Sequence, residues 1–395
     1  MTGSNVFVSE SVTAGHPDKL CDRISDAIVD RFLSQDAAAR VDAECAVATG
    51  IVFVASHFTA NIAPDLVEVA RSVIERSGYR GKEFNARDCT VMTTMRDMPG
   101  RSRAVADEAA LSGDQLEEIL PDNPVTVFGF ACRESKNLMP MPIYLAHRLA
   151  RSLDQARESE TLPWLLPDGK VQVAVRYEDG SPHSIHSLTI SPSGELGGAE
   201  EKVIRQALMD AVIAPALEKQ SLQLTRDTRV QFSPEGPMTK GGPALHAGLT
   251  GRKTAIDTYG EYARNSDAAL SGKDPTRIDR VGAYAARWTA KNVVGAGLAD
   301  YCEVLLSYEA GRAQPISVQL RTYGTSALGD DAINRRVVEL FDFRPGAILK
   351  AFQLRRLAAG ASGGYFEHLA AYGQMGREDL DVPWERLDRV EELMG

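Results

Sequence analysis

Residues 277–310 read "RIDRVGAYAARWTAKNVVGAGLADYCEVLLSYEA", and this stretch decides the fold class. The segment 277–297 has the pattern of a helix, and "YCEVLLSYEA" (301–310) that of a strand. A second strand, "PISVQLRTYG" (315–324), follows after a short break. A helix followed by a hairpin-like strand pair is the signature of an α+β layer. The same alternation recurs towards the N-terminus.

In "HPDKLCDRISDAIVDRFLSQD", Leu20, Ile24, Ile28 and Phe32 recur at spacing four and mark one apolar helix face, with Pro17 suited to the first turn. "CAVATGIVFVAS" (45–56) reads as a strand or hairpin, "APDLVEVARSVIERSGY" as a helix ending at Gly78, and "CTVMTTM" (89–95) as a strand. Residues 96–123 carry no sustained apolar face and read as a partly helical connection or lid. Strands at 125–132, 170–177 and 185–191 and helices at 141–158 and 200–218 make a second group; a third begins with a strand at 228–234. Three α+β domains result, 1–112, 113–231 and 232–395, similar in element order, each a mixed sheet with helices on one face.

Composition excludes several classes. The 395 residues carry a net charge of −10 and no basic run, which argues against nucleic acid as a partner. No apolar run approaches a membrane span, and the N-terminus lacks a secretory pattern, so a cytoplasmic protein is expected. Cys21, Cys45, Cys89, Cys132 and Cys302 are scattered, with no C-x-x-C pair, and support neither a disulfide framework nor a zinc knuckle.

In so acidic a chain the clustered cations stand out. "GPMTKGGPALHAGLTGRKT" (236–254) has the look of a phosphate cradle, yet it is not a P-loop: Arg252 follows Gly251 where lysine is required, and His246 stands where the first glycine belongs. A basic glycine-rich loop still holds anions through its backbone N–H groups and cations. "GHPDK" (15–19) places an imidazole, a carboxylate and an ammonium at a helix start, where Asp18 is also favoured by the helix dipole. "SGKDPTRIDR" (271–280) repeats that chemistry, with Asp274 near an N-cap and Pro275 helping to start the helix. "LPDGK" (166–170) is a weaker signal, since Pro-Asp-Gly is a turn by itself.

Taken together, "SESVTAGHPDK", "GLTGRKTAIDTYG", "LSGKDPTRIDRVGAYAARWTAKNVVGAGLAD", "FDFRPGAI" and "AAYGQMGREDLDVPWE" resemble the S-adenosylmethionine synthetase (methionine adenosyltransferase) family, in order and over nearly the whole chain. The resemblance implies a three-domain α+β protein that pairs its sheets face to face in a homodimer or tetramer, with active sites between subunits. It implies that methionine sulfur attacks C5′ of ATP, and that the released tripolyphosphate is cleaved to pyrophosphate and phosphate. A thioether has no proton to lose, so no general base is needed; the departing charge calls for cations.

By matching motifs, His16, Lys170, Arg252, Lys253 and Lys273 take phosphate-facing positions, Asp18 and Asp279 the Mg²⁺ carboxylates, Glu44 (with Ser271 nearby) the K⁺ carboxylate, and Asp168 a place beside the nucleotide. The chain departs from the pattern at the nucleoside and acceptor end. Arg277 replaces a lysine, and "LPDNPV" (120–125) replaces a "GAGDQG" loop, leaving Asn123 or Asp122 where an aspartate is expected; "SGDQ" (112–115) lies too early to supply it. His57 and His246 replace acids, Met238 replaces an aromatic residue against adenine, and Ala310 a larger aliphatic one. Two other readings remain open here: the same displacement with another acceptor or base, and a non-catalytic nucleotide-binding subunit.

Overall fold

The computed structural model describes residues 5–99, 102–195, 200–232 and 241–395. Its strands are β1 (Asn5–Val12), β2 (Arg40–Ala48), β3 (Ile51–Thr59), β4 (Thr90–Asp97), β5 (Val125–Cys132), β6 (Leu165–Glu178), β7 (Ser181–Gly194), β8 (Arg229–Phe232), β9 (Gly248–Leu249), β10 (Tyr301–Tyr308) and β11 (Ser317–Arg321). They form three sheets, ordered β4-β3-β2-β9, β1-β6-β7-β8 and β11-β10-β5. The first two are mixed, because β3–β4 and β7–β8 are parallel; the third is antiparallel throughout.

Helices cover one face of each sheet, as the alternation of apolar residues requires. The helices α1 (Pro17–Gln35) and α2 (Leu66–Arg76) pack on the first sheet, α3 (Met141–Glu158) on the second and α4 (Ile278–Gly295) on the third. Leu20, Ile24, Ile28 and Phe32 of α1 are fully buried against Val41, Val52 and Val54, so the spacing-four face is the core face. The opposite face of the first sheet is open and apolar: Ile51, Phe53, Met92 and Leu249 are all exposed there.

The run 45–56 is a hairpin, β2–β3, turning at Thr49 and Gly50 with Thr49 at φ 53°. The helix expected over 200–218 is interrupted: α-helical turns at Glu201–Leu208 and Ala214–Leu217 flank a π-helical turn at Met209–Ile213. Each sheet also borrows a strand from a distant part of the chain. β1 pairs with β6, β9 with β2, and β5 with β10.

A polar junction ties two sheets together. Glu134, just after β5, accepts hydrogen bonds from the hydroxyls of Tyr177 on β6 (2.5 Å), Tyr262 (2.7 Å) and Tyr301 on β10 (3.2 Å). The connection after β4 is anchored as well as partly helical. Arg355 meets Glu108 at 3.4 Å, and Lys350 Nζ donates to the Leu111 carbonyl at 2.8 Å. Among the described residues, no helix is long and apolar enough to cross a membrane.

Candidate active site

The scaffold of the site is a ladder of aspartates on α1. Asp18, Asp22, Asp26 and Asp30 recur every four residues, lie on one helix face and are buried. Each receives backbone N–H groups from distant chain, the first two from one loop and the others from two more. Leu249 N donates to Asp18 Oδ1 (3.0 Å), Gly251 N to Asp22 Oδ1 (2.7 Å) and Gly272 N to Asp26 Oδ1 (2.8 Å). Phe366 N and Glu367 N donate to Asp30 at 3.0 and 2.9 Å. The loops bearing Arg252, Lys253 and Lys273 thus hang from one rigid helix.

Carboxylates survive burial only when paired. Lys19 Nζ bridges Asp22 (2.8 Å) and Asp257 (2.5 Å), and Arg280 holds Asp26 by two bonds of 2.7 and 2.9 Å. Among the described residues Asp30 has no cation of this kind, and burial pushes its carboxyl up to about 7. The packing is close enough to demand glycine at two points. A Cβ on Gly248 would lie 2.1 Å from the Pro17 carbonyl oxygen, and one on Gly272 (φ +81°) 2.0 Å from that of Ala43.

The candidate residues fall into two groups. In the first, His16 is the N-cap of α1, and its Nδ1 accepts the Asp18 N–H at 3.2 Å. That bond leaves the proton of the neutral ring on Nε2. Burial lowers the His16 pKa to about 4, against the pull of Asp168 and Asp18, so the ring is neutral at pH 7. Asp18 meets Lys253 Nζ at 2.8 Å and Arg252 Nη1 at 3.8 Å. Asp168 Oδ2 accepts from Gly242 N at 2.8 Å and lies 2.7 Å from His246 Nε2. The His16 and His246 rings are 5.1 Å apart, and one polar atom from each of His16, Asp168 and His246 lies within 4.8 Å of the others. Lys170, two residues beyond Asp168 on β6, is exposed and pairs with Glu10 on β1 at 2.5 Å.

The second group gathers around Asp279. Its Oδ1 is 3.2 Å from Lys273 Nζ and 3.3 Å from Asn123 Nδ2. The planar fork of Arg277 reaches three carboxylates, Asp42 (3.4 Å), Asp279 (3.7 Å) and Asp122 (3.9 Å), which a lysine could not span in this way. Arg40 pins Asp122 at 2.5 Å. His57 lies opposite Asp42 in the β2–β3 register and is exposed. Ala310, also exposed, precedes Gly311, whose N–H donates to Pro121 at 3.1 Å and brings it beside the Asn123 loop. Glu44 is exposed on β2, two residues from Asp42, while Ser271 is buried and accepts from Gln374 Nε2 at 3.1 Å.

Among the described residues, Asp279 Oδ2, Asn123 Oδ1, Thr276 Oγ1 and the Nε atoms of Arg40 and Arg277 are buried without a hydrogen bond, although Arg277 Nε faces Asp279 Oδ2 at 3.7 Å. Each such atom costs on the order of 1–3 kcal/mol. Their concentration in one place marks a spot built to receive a polar ligand or cation.

Met238 lies outside the described residues. Sequence reasoning missed Arg40, Asp42 and the three lower rungs of the ladder. The Asp-x-x-x-Asp repeat at 18, 22, 26 and 30 was the available signal, although charges at that spacing ordinarily mark a solvated helix face.

Three family profiles match the chain in order: S-adenosylmethionine synthetase N-terminal domain over residues 4–99, central domain over 120–238 and C-terminal domain over 240–386. Among similar proteins, the S-adenosylmethionine synthase of Gloeothece citriformis is 43% identical, with 99% of this chain and 96% of the relative covered. That of a Synechococcus species is 44% identical over 96% and 95%, and that of Synechococcus elongatus 42% over 100% and 98%.

Proposed function

The chain belongs to the S-adenosylmethionine synthetase family, and we propose for it the reaction in which methionine sulfur attacks C5′ of ATP and tripolyphosphate leaves. The observation that carries this reading is the group at the start of α1. In a chain of net charge −10, Arg252 and Lys253 converge on the His16–Asp18 turn, held there by the aspartate ladder. Such a site suits a polyphosphate, whose charge rises as it departs from carbon. His16 offers its Nε2–H without adding a charge, while Lys170 and Lys273 add cations. Asp168 and Arg277 stand where the nucleotide would pass.

Asp18 and Asp279 are the carboxylates that would hold Mg²⁺; the buried Asp279 Oδ2, which accepts no hydrogen bond among the described residues, fits that role. When bound, Mg²⁺ supplies charge neutralisation on phosphate oxygens. Glu44, open to solvent beside the Ser271–Gly272 turn, is the corresponding candidate for K⁺. The acceptor and base contacts fall to His57, Asn123, Met238 and Ala310, with His246 beside them against Asp168. Relatives that bear the synthase name along their full length favour methionine and ATP over another acceptor or base, and over a silent subunit.

We also propose that two copies pair through the open face of the first sheet. Ile51, Phe53, Met92 and Leu249 would be covered there, and the two groups of site residues would complete one another across the interface.

The test is direct. Incubated with ATP, methionine, Mg²⁺ and K⁺, the protein should yield a sulfonium product by mass spectrometry, together with pyrophosphate and phosphate. Absence of the sulfonium while triphosphate is still cleaved would refute methionine as acceptor. Light scattering should show a dimer or larger, and Phe53→Glu should shift it to monomer; a wild-type monomer would refute the paired-sheet reading.

A further inference from the structure

We propose that His246 is the general acid of the reaction, oriented by Asp168 and giving its Nδ1 proton to the tripolyphosphate oxygen released from C5′. This inference rests on the reading that the α1 group holds the triphosphate.

The geometry is that of an Asp–His dyad. Asp168 is buried, and its Oδ2 is fixed by the Gly242 N–H at 2.8 Å and by His246 Nε2 at 2.7 Å. With Nε2 turned to the carboxylate, Nδ1 is the ring nitrogen left free to deliver a proton. The His246 side chain is 44% exposed, so solvent can replace the proton after each turnover. Its ring stands 5.1 Å from that of His16, beside the Asp18–Lys253 pair where the polyphosphate is placed.

The charges around His246 favour an imidazolium. Asp168 on β6 faces it directly, Asp18 at the start of α1 adds to the attraction, and Lys253 after β9 opposes it. The hydrogen bond to Asp168 raises the His246 pKa above the ordinary histidine value, outweighing the effect of burial. Asp168 is itself held below the ordinary aspartate range: burial pushes it up, but the hydrogen bond from His246 and the neighbouring His16 win. A proton donor positioned in this way contributes typically about 10²–10⁴-fold to a rate.

The step balances without a further reactant. The sulfur lone pair forms the S–C5′ bond, the C5′–O5′ electron pair stays on oxygen, and that oxygen takes the His246 proton. Water then reprotonates His246. The protonated form is the active one, so the rate falls as pH rises through the His246 pKa.

The experiment is the single-turnover rate of sulfonium formation from ATP and methionine between pH 6 and 9.5, for wild type, His246→Asn and Asp168→Asn. Asparagine keeps an N–H for Asp168 but cannot transfer a proton. We expect His246→Asn to lose about 10²-fold at pH 7, within the usual range for a general acid, and to lose the alkaline fall in rate. Asp168→Asn should move that fall to lower pH, because the imidazolium loses its carboxylate. A His246→Asn enzyme of near-normal rate would overturn the proposal. So would one that is slower but keeps the same alkaline fall, or one altered only in KM for methionine. The wild-type measurement reads the underlying function separately: no sulfonium from the wild type would sink the methionine reading, and this inference with it.

Discussion

The aspartate ladder can be tested at its most buried rung. Asp26 and Arg280 are both fully buried, and the guanidinium spans the carboxylate with bonds of 2.7 and 2.9 Å. In Asp26→Ala, Arg280 keeps only the Lys273 carbonyl (2.8 Å), the Tyr284 hydroxyl (2.9 Å) and the Phe366 ring, 4.2 Å from its guanidinium carbon. Removing one partner of a buried pair costs about 3–5 kcal/mol. The Gly272 N–H loses its acceptor too, which by itself costs on the order of 1–3 kcal/mol, but the two losses share one site and do not add. A total of about 4 kcal/mol is a large part of the roughly 5–15 kcal/mol that holds a folded protein together. Urea unfolding at fixed protein concentration, followed by tryptophan fluorescence, measures it. The double variant Asp26→Leu/Arg280→Met removes both charges and should recover more than half of the loss. Because Gly272 precedes Lys273, the single variant should also slow sulfonium formation at least tenfold. An Asp26→Ala protein within 1 kcal/mol of wild type, or a double variant no better than the single, would refute the ladder as the support of the site.

Other consequences follow from the same geometry. Gly272→Ala forces a Cβ to within 2.0 Å of the Ala43 carbonyl oxygen at φ +81°, so it should lose stability and activity together, whereas Gly180→Ala, at the same φ but with open space around it, should cost some stability through backbone strain and leave activity intact. Glu134→Ala strips the acceptor from the Tyr177 and Tyr262 hydroxyls and the Met141 N–H at once, while Tyr301 keeps the Gly180 carbonyl, and the urea midpoint should fall by the equivalent of about 3–5 kcal/mol. Lys273→Ala and Asp18→Asn should each lower the turnover number about 10²–10³-fold while circular dichroism stays native; near-normal turnover in either would remove that residue from the phosphate site. Burial, partly offset by Arg355, raises the Glu108 carboxyl to about 7. The native state therefore holds this proton more tightly than the unfolded one, and the stability it confers is complete below about pH 4.5 and lost as pH rises through about 7. Glu108→Gln should flatten the decline in the urea midpoint over that window.

Much of the fold can be read from local pattern, because local periodicity determines which face of an element is buried. Leu20, Ile24, Ile28 and Phe32 lie on the core side of α1, and the helix expected at 141–158 has those bounds. What the pattern does not contain is the choice of distant partner. Nothing within Asn5–Val12 says that it pairs with residues 170–177, and a two-residue strand such as Gly248–Leu249 is too short to have a period. The site shows the same division. His16, Asp18, Arg252 and Lys253 were legible as chemistry, yet their meeting depends on aspartates whose spacing suggests a solvated face. Burial reverses that reading, since every rung is occupied by N–H groups of a loop that arrives from far along the chain. The stretch 241–254 is where the two levels join. Gly242 and His246 engage Asp168, Leu249 and Gly251 engage α1, and Arg252 and Lys253 are left to face Asp18. A glycine-rich loop that spends its own N–H groups on carboxylates cannot cradle phosphate with them as a P-loop does. It must work through its side chains, and that makes the two cations and His246 the residues on which substrate charge acts.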